Sequence, residues 1–245
     1  MTIKAIVFDA YGTLYDVQSV SSITEEKFPG KGELITQVWR LKQLEYTWLR
    51  SQMGAFHDFW AVSQESLAYT LDCIGIPYEK AVFEEIMAKY RHLDPYADSI
   101  SALEALKGRQ RAILSNGSQD MLDDLIRNTG LNAHLEACIS VDAVQIFKPN
   151  NKPYELIEEK LGVKPEEVLF VSSNAFDACG AKNFGLKVAW IERVTADALR
   201  AEIAGLDKVG PTTMFKILRM RMEHFGMDPD YRLSSLNELA GIVAG

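Results

Sequence analysis

Cysteine, histidine and long apolar segments are all scarce in this chain of 245 residues. The three cysteines, Cys73, Cys138 and Cys179, are odd in number and lack CxxC spacing. The sequence therefore predicts neither a disulfide framework nor a zinc site, and we expect three buried, reduced thiols. No apolar stretch approaches the roughly 20 residues of a membrane span, so we expect a soluble globular protein without a membrane partner.

Positive charge is scarce as well. Lysine and arginine number 26 against 34 aspartates and glutamates, which gives a net charge of −8. This balance argues against nucleic acid or an anionic membrane surface as the main partner, although a local cationic site for a small anion stays open. The four histidines, at positions 57, 92, 134 and 224, show no pairing at metal-ligand or triad spacing. The N-terminus carries no signal-peptide pattern, so we expect a cytoplasmic protein.

Short apolar runs alternate with amphipathic segments along much of the chain. The runs lie at 3–8, 112–114, 138–141, 168–171 and 188–191, with helical patterns such as 119–128 and 154–161 among them. Because strands that alternate with helices form parallel sheets, the sequence predicts an α/β fold with a doubly wound, mainly parallel, Rossmann-like core. With 47% apolar residues the chain can bury a full core.

The segment 16–97 interrupts this alternation. A parallel crossover needs only about a dozen residues, and this segment is far longer. Its apolar residues Leu34, Val38, Leu41, Trp48 and Met53 fall near helical spacing. We therefore predict a helical-bundle cap domain at 16–97, inserted into an α/β core domain formed by 1–15 and 98–245.

Residues 195–228 are a second departure and predict a C-terminal helical excursion. Met214, Phe215 and Leu218 can form one apolar stripe on a helix there. Packing on the protein's own core and contact with a second copy of the chain both explain such a stripe. The sequence by itself leaves both open.

Polar residues follow the predicted strands at four places: Asp9, Ser-Asn-Gly at 115–117, Lys148, and Ser-Ser-Asn at 172–174 with Asp177. Ligands of doubly wound sheets bind outside the carboxyl ends of the strands, so these groups are expected to converge on one edge. Singly, each has a plainer explanation. The 115–117 segment suits a helix cap and turn, Lys148 a surface lysine, and Asp177 the acid that begins a helix. Their coincidence at strand ends favours an active site.

Several stretches resemble the L-2-haloacid dehalogenases of the haloacid dehalogenase superfamily. They are FDAYGTL, SNG, FKP followed five residues later by Tyr154, FVSSNAFDACGAKNFG and, in the inserted segment, VWRLKQLEYTWLR. The resemblance spans essentially the whole chain. This chain carries Tyr11 where most superfamily members, which are phosphatases, carry a second aspartate.

The resemblance implies a covalent mechanism, in which Asp9 attacks the carbon that bears the halogen and water then hydrolyses the resulting ester. Lys148 keeps Asp9 ionised, Asp177 is the base for water, and the others position these groups, the water or the halide. The catalytic residues implied are Asp9, Thr13, Arg40, Ser115, Lys148, Tyr154, Ser172, Asn174 and Asp177. From the residues alone, Tyr154 has a plainer explanation as a core aromatic and Arg40 as an exposed cation.

The resemblance also implies a site for substrate and halide. Ser115 and the backbone amides near Ala10 and Tyr11 are its candidates for the substrate carboxylate. A cradle that includes Arg40 accepts the halide, and an apolar wall faces the alkyl group. The binding residues implied are Ala10, Tyr11, Arg40, Gln43, Leu44, Phe59, Ser115, Asn116 and Phe176, of which Arg40, Asn116 and Phe176 form the cradle and Leu44 and Phe59 the wall.

Leaving-group chemistry agrees with tyrosine at position 11. A phosphate ester leaves as an alkoxide that needs a proton from an acid, whereas halide leaves unprotonated. Phosphoryl transfer also needs a divalent cation held by carboxylates, and residues 172–174 offer none. We therefore expect no metal and no cofactor. The expected reaction is hydrolysis of short-chain L-2-haloalkanoic acids to D-2-hydroxyalkanoic acids, with inversion.

Three further points stay at the level of the resemblance or remain open. The tail from residue 195 resembles family members in which such a helical excursion is associated with dimerisation, so we expect a homodimer. A magnesium-dependent small-molecule phosphatase of the same superfamily is one alternative function. A catalytically silent binding protein is the other.

Overall fold

A computed structural model describes residues 2–244; Met1 and Gly245, at the ends of the predicted core domain, lie outside it. Its strands are β1 (Ala5–Phe8), β2 (Tyr15–Asp16), β3 (Asp94–Pro95), β4 (Gln110–Ser115), β5 (Ala137–Ser140), β6 (Val168–Ser172), β7 (Lys187–Ile191) and β8 (Tyr231–Leu233). Six of them form one parallel sheet in the order β5-β4-β1-β6-β7-β8, and β2 pairs antiparallel with β3. The predicted α/β fold with a mainly parallel sheet is confirmed.

The helices fall into groups along the chain. The inserted segment contains α1 (Ser21–Lys27), α2 (Gly32–Met53), α3 (Phe59–Ile74) and α4 (Lys80–Lys89). The sheet is flanked by α5 (Ser99–Ala105), α6 (Gln119–Thr129), α7 (Asn151–Leu161) and α8 (Ala175–Phe184). They are followed by α9 (Ala196–Ala204), α10 (Pro211–Arg219) and α11 (Leu239–Ala244).

The central strand β1 shows why the apolar runs are continuous. Ile6 and Phe8 join the core on the α5 and α6 side of the sheet, whereas Ala5 and Val7 join the core on the α7 and α8 side. All four side chains are fully buried. Because helices cover both faces, every position of the strand is apolar and no alternation with polar residues appears.

The edge strand β8, which lies beside β7 at the end of the sheet, was not predicted. Tyr231 and Arg232 are exposed and only Leu233 is buried, so this segment contains no apolar run. Its place beside β7 depends on polar contacts at Asp230, whose N–H donates to the Val188 carbonyl and whose carboxylate accepts from the Val188 N–H, both at 2.8 Å. A short edge strand held in this way leaves little pattern in the sequence.

The cap helices rise from a narrow base. Tyr15 and Asp16 in β2 pair with Pro95 and Asp94 in β3, so the chain enters and leaves the cap side by side. Above this base, α2 packs on α3, and the Trp39 indole N–H donates to the Ser63 carbonyl at 2.9 Å. Two of the cap residues predicted from helical spacing lie outside its core: Leu34 is 37% and Met53 67% exposed.

The excursion packs on the cap through α10. The Thr212 N–H donates to the Glu33 carboxylate at 3.0 Å, and the Gln37 amide donates to the Thr212 hydroxyl at 3.3 Å. The predicted single stripe on this helix is wrong, because Phe215 is buried while Met214 and Leu218, four residues apart on another face, are 45% and 47% exposed.

The prediction of three buried thiols is also partly wrong. Cys179 is buried and Cys138 half-buried, but Cys73 is exposed, because it follows the buried Thr70 and Leu71 on the outward face of α3. Within residues 2–244, no helix combines the length and the apolar character needed to cross a membrane.

Candidate active site

Asp9 stands at the position where a doubly wound sheet places its ligands. The chain extends the sheet from β1 to one side through β4 and β5, and to the other through β6 and β7, so the strand order reverses at β1. The Asp9 N–H donates to the Val171 carbonyl at 2.9 Å, which continues the strand pairing for one more residue. Asp9 is 4% exposed and lines a small cavity under the cap.

One buried lysine bridges two carboxylates at this edge. The Lys148 Nζ donates to Asp9 Oδ1 at 2.9 Å, to Asp177 Oδ2 at 2.6 Å and to the Leu114 carbonyl at 2.9 Å, so all three ammonium protons are used. Lys148 is only 1% exposed, which excludes the plainer explanation as a surface lysine. The two acids that are 168 positions apart in sequence are therefore joined by one cation.

The ionisation of this cluster follows from burial and charge. Burial favours the neutral amine, but Asp177 and Asp9 more than offset it, so the pKa of Lys148 is raised and the ammonium persists. Burial raises the pKa of Asp177 to about 6; Lys148 opposes this shift and the like charge of Asp9 adds to it. Asp177 thus titrates close to neutrality, as suits a general base.

Asp177 is held by two further donors. The Tyr154 hydroxyl donates to Asp177 Oδ1 at 2.7 Å, and the Ser172 hydroxyl donates to Oδ2 at 3.1 Å. Tyr154 is fully buried, and burial together with the Asp177 charge raises the pKa of its phenol well above the ordinary value. Tyr154 therefore acts as a hydrogen-bond donor here, as well as packing edge-on against Phe170.

The second oxygen of Asp9 is fixed from the other side. Asn174 Nδ2 donates to Asp9 Oδ2 at 2.7 Å and to the Tyr11 carbonyl at 2.8 Å, and the Thr13 hydroxyl donates to the same Oδ2 at 3.1 Å. Thr13 is itself held, because the Ser173 N–H donates to its Oγ1 at 2.9 Å. Residue 173 was outside the predicted set, although it lies within the motif that named its neighbours.

The cap contributes a cation without a carboxylate partner. Arg40 is 4% exposed, so its predicted alternative as an exposed residue is excluded. Its guanidinium donates to Gln43 Oε1 at 2.6 Å, and no acidic side chain within residues 2–244 forms an ion pair with it. Gln43 is held in turn by Tyr90, whose hydroxyl donates to Oε1 at 3.2 Å, and by Ser63, which accepts from Nε2 at 2.5 Å.

Tyr90 and Ser63 were not predicted as site residues. Ser63 lies in α3 and Tyr90 directly follows α4, in patterns that indicate only packing, and their contacts with Gln43 arise from how these segments meet α2. A search for polar residues within the apolar faces of the cap helices would have found Ser63. Nothing in the pattern distinguishes Tyr90 from a core aromatic.

The cavity between core and cap is small, with a volume of about 10 Å³. Its walls come from both parts of the chain: Asp9, Tyr11, Arg40, Leu44, Phe59, Asn116, Lys148, Asn174 and Phe176. Thr13, Gln43, Tyr154, Ser172 and Asp177, also predicted as site residues, stand behind this wall and hold its members. Ala10 and Ser115 are buried beside it rather than among its lining residues.

The loop after β4 shapes the floor of the cavity. The Ser115 hydroxyl accepts from the Gly117 N–H at 3.1 Å, and Asn116 Oδ1 accepts from the Lys148 N–H at 2.8 Å. Glycine is required at 117, since a Cβ there would lie 2.8 Å from the Tyr11 ring. Within residues 2–244 the Tyr11 hydroxyl has no hydrogen-bond partner, and burial raises the pKa of this phenol.

Comparisons with known proteins agree with this geometry. The family model of the haloacid dehalogenase-like hydrolases matches residues 3–185. An (S)-2-haloacid dehalogenase from Xanthobacter autotrophicus is 51% identical over 99% of this chain and 96% of its own length. The chain therefore belongs to the family of haloacid dehalogenase-like hydrolases. A Pseudomonas putida (S)-2-haloacid dehalogenase is 45% identical over 78% of the chain and 85% of its own length.

Solved structures of haloacid dehalogenase-like hydrolases show the same fold. The L-2-haloacid dehalogenase from Xanthobacter autotrophicus superposes with a TM-score of 0.96 over 100% of this chain and 99% of its own. The same enzyme with chloropropionic acid covalently bound also gives 0.96 at 51% identity. The recognised family and the L-2-haloacid dehalogenase resemblance are thereby confirmed.

Magnesium, which the phosphatases of this superfamily use, does not fit the donor set of this family member. The Lys148 ammonium lies between the two carboxylates, where it already supplies the positive charge. Each oxygen of Asp9 and of Asp177 accepts at least one hydrogen bond from a side chain. A hard cation needs several free oxygen ligands, so no step is assigned to one.

Proposed function

We propose that the chain is an (S)-2-haloacid dehalogenase, which hydrolyses short-chain L-2-haloalkanoic acids to D-2-hydroxyalkanoic acids. The observation that carries this function is the Asp9 carboxylate, which accepts a hydrogen bond from Lys148 and faces a cavity in which position 11 is an aromatic residue. The reaction has a leaving group that needs no proton, and the site offers no second acid at that position. The relatives named above are dehalogenases of this class.

In the first step, an Asp9 oxygen attacks C2 of the substrate. The C–O bond forms as the carbon–halogen bond breaks, the halide leaves with the electron pair, and configuration inverts. Lys148 and Asn174 hold Asp9 in one orientation. Arg40 faces the same cavity and stabilises the departing halide, with Asn116 and Phe176 beside it and Leu44 and Phe59 around the alkyl group. Support for the ester comes from the relative with chloropropionic acid covalently bound.

In the second step, water attacks the acyl carbon of the ester on Asp9. Asp177 takes one proton from the water, and the bond between the acyl carbon and the product oxygen breaks. The alkoxide takes that proton from Asp177 to give the 2-hydroxy acid, the second water proton passes to solvent, and Asp9 is a carboxylate again. Esterification removes the negative charge of Asp9, which is one cause of the raised pKa of Asp177. Asp177 is therefore a carboxylate when the base is needed. Ser172 and Asn174 orient the reacting groups.

The substrate carboxylate needs neutral donors near Asp9. We assign Ser115 and the backbone amides of Ala10 and Tyr11 to it. The Ser115 hydroxyl accepts from Gly117 but keeps its own proton available. Among residues 2–244, no carbonyl accepts from the Ala10 or Tyr11 N–H outside regular strand pairing. Charged donors are unnecessary in such a partly dry site.

The domain division and the assembly also belong to this proposal. We place the cap at 16–97, because β2 and β3 pair at its base, and the core at 1–15 and 98–245. We propose a homodimer through α10, where Met214, Ile217 and Leu218 are 45%, 38% and 47% exposed. A cytoplasmic location suits the exposed, unpaired Cys73.

One comparison tests the function against both alternatives. Purified protein is assayed for halide release from L-2-chloropropionate in excess chelator and for phosphate release from an aryl phosphate with magnesium. We expect halide release only. Phosphate release would favour the phosphatase, and neither activity from folded protein would favour a silent binding protein. A single turnover in ¹⁸O-water should place the label on Asp9; label in the product hydroxyl would contradict the ester.

A further inference from the structure

A second arginine lies near the cavity between core and cap that contains Asp9, called the reaction cavity. Within residues 2–244 this arginine has no hydrogen-bond or ion-pair partner. Arg219 is the last residue of α10 and is half-buried. Its Nε is buried. The guanidinium lies over the Trp48 ring, whose centroid is 5.0 Å from Cζ. Buried guanidinium groups are usually paired, so this one is available to a ligand.

Arg219 stands where two cavities meet. One lies where core, cap and excursion meet and is lined by Arg40, Asn174 and Arg219, of which it shares the first two residues with the reaction cavity. The other opens outward between Trp48, Phe176 and Arg219, and it shares Phe176 with the reaction cavity. Arg219 therefore lines both of these cavities next to the reaction cavity.

Arg219 and Arg40 repel each other across this space. Burial lowers the pKa of Arg219, Glu223 opposes this, Arg40 adds to it by like-charge repulsion, and Glu45 opposes it. An arginine remains protonated in spite of such a shift. Two cations that repel each other across a partly buried space both gain when an anion lies between or beside them.

We propose that Arg219, together with Arg40, forms an anion site on the path between the reaction cavity and the surface. Its ligand is a small monovalent anion, either the departing halide or the carboxylate of the incoming haloacid. The existence of the site rests on the geometry, and only the identity of its natural anion rests on the proposed function. The excursion would thereby contribute directly to the path, in addition to any contact between subunits.

Trp48 provides a readout that does not depend on catalysis. Its ring contacts both Arg219 and, at 5.3 Å, the Phe176 ring, so bromide bound there should quench its fluorescence. Bromide is titrated into wild type, Arg219→Gln, Arg219→Lys and Arg200→Gln without substrate. Arg200 belongs to the same excursion, is 78% exposed at its side chain and is paired with Asp197, so it is the matched control.

We expect Arg219→Gln to raise the apparent Kd for bromide about tenfold, the scale of one charged hydrogen bond. Arg219→Lys should recover part of this loss, and Arg200→Gln should match wild type. Trp48→Phe should remove the signal. Equal Kd values for wild type and Arg219→Gln, with both proteins folded by circular dichroism, would overturn the site.

Two further arms separate the source of the anion from the proposed function. Propionate that competes with bromide would assign the incoming carboxylate to the site as well, and lack of competition would assign halide alone. In turnover, inhibition by bromide should weaken in Arg219→Gln by the same factor as the Kd. Wild type that releases no halide from L-2-chloropropionate would contradict the proposed function, while the bromide titration would still decide the anion site.

Discussion

The core wall and the cap wall of the reaction cavity treat charge in opposite ways. On the core side, Lys148 lies 2.9 Å from Asp9 and 2.6 Å from Asp177, and all three groups are buried. On the cap side, Arg40 is buried to a similar extent, but its hydrogen bond goes to the neutral amide of Gln43. The charges of the core wall are therefore paired with one another, whereas the positive charge of Arg40 on the cap wall has no counter-ion among residues 2–244.

In the proposed mechanism, this difference gives each wall a separate task. A nucleophile that must remain anionic in a dry site needs a permanent counter-ion, and the core supplies one. A leaving group that becomes anionic only during the reaction needs a cation that is free until then, and the cap supplies that. A carboxylate paired with Arg40 would compete with the halide for the guanidinium and so weaken halide binding.

The largest expected effect is a loss of stability when Lys148, the cation of the core wall, is removed. Lys148→Met leaves Asp9 and Asp177 buried without a cation, so unfolding should become easier by about 3–5 kcal/mol at pH 7.5. The loss should shrink as pH falls, because protonation of the carboxylates removes the uncompensated charge. Urea denaturation at several pH values measures it, with the exposed Lys152→Met as control. A loss that does not depend on pH would contradict the role given to Lys148.

The matching change on the cap should spare the fold. Arg40→Ala removes a cation that has no buried anion to compensate, so stability should change by under about 2 kcal/mol. Halide release from L-2-chloropropionate should fall about 10²- to 10³-fold, the scale of a lost transition-state contact. Lys42→Ala, on the same helix and paired with Glu45, is the control. Near-normal turnover of Arg40→Ala would remove Arg40 from the halide site.

The sequence predicted the contacts of the core wall better than those of the cap wall. Asp9, Lys148 and Asp177 follow strands, and strand topology alone brings such positions to one edge. Gln43 was predicted, but the contacts that orient it come from Ser63 in α3 and from Tyr90, which directly follows α4. Helical periodicity specifies which face is buried, and it does not specify which neighbour a polar group on that face meets.

The fold shows the same limit at its margins. The five strands with apolar runs were predicted, and β8 was not, since its pairing depends on Asp230 rather than on apolar residues. Likewise, Phe215 packs inward while Met214 faces out, because α10 meets α2 through polar contacts that helical spacing does not indicate.

The pH dependence of ester hydrolysis sharpens the comparison within the core wall. The base works when deprotonated, so the rate should be full at high pH and fall about tenfold per pH unit below the pKa of Asp177. That pKa is about 6 with Asp9 ionised, and the ester removes one cause of the increase, so the acid limb should lie below pH 6. Rapid quench with mass detection of the ester measures this step. An acid limb that persists in Asp177→Asn would assign the base to another group.

The smallest expected effect concerns the orientation of Arg40, which is hydrogen-bonded to Gln43 and through it to Tyr90. Tyr90→Phe removes the hydroxyl that donates to Gln43 Oε1 at 3.2 Å and keeps the ring against Trp39 at 4.8 Å. Loss of about 1 kcal/mol of orientation predicts about a fivefold slower halide release. Because chloride is the poorer leaving group, chloride substrates should slow more than bromide substrates. The exposed Tyr69→Phe is the control. Equal slowing of both halides would show that Tyr90 acts only through packing, and that the free cation needs no such support.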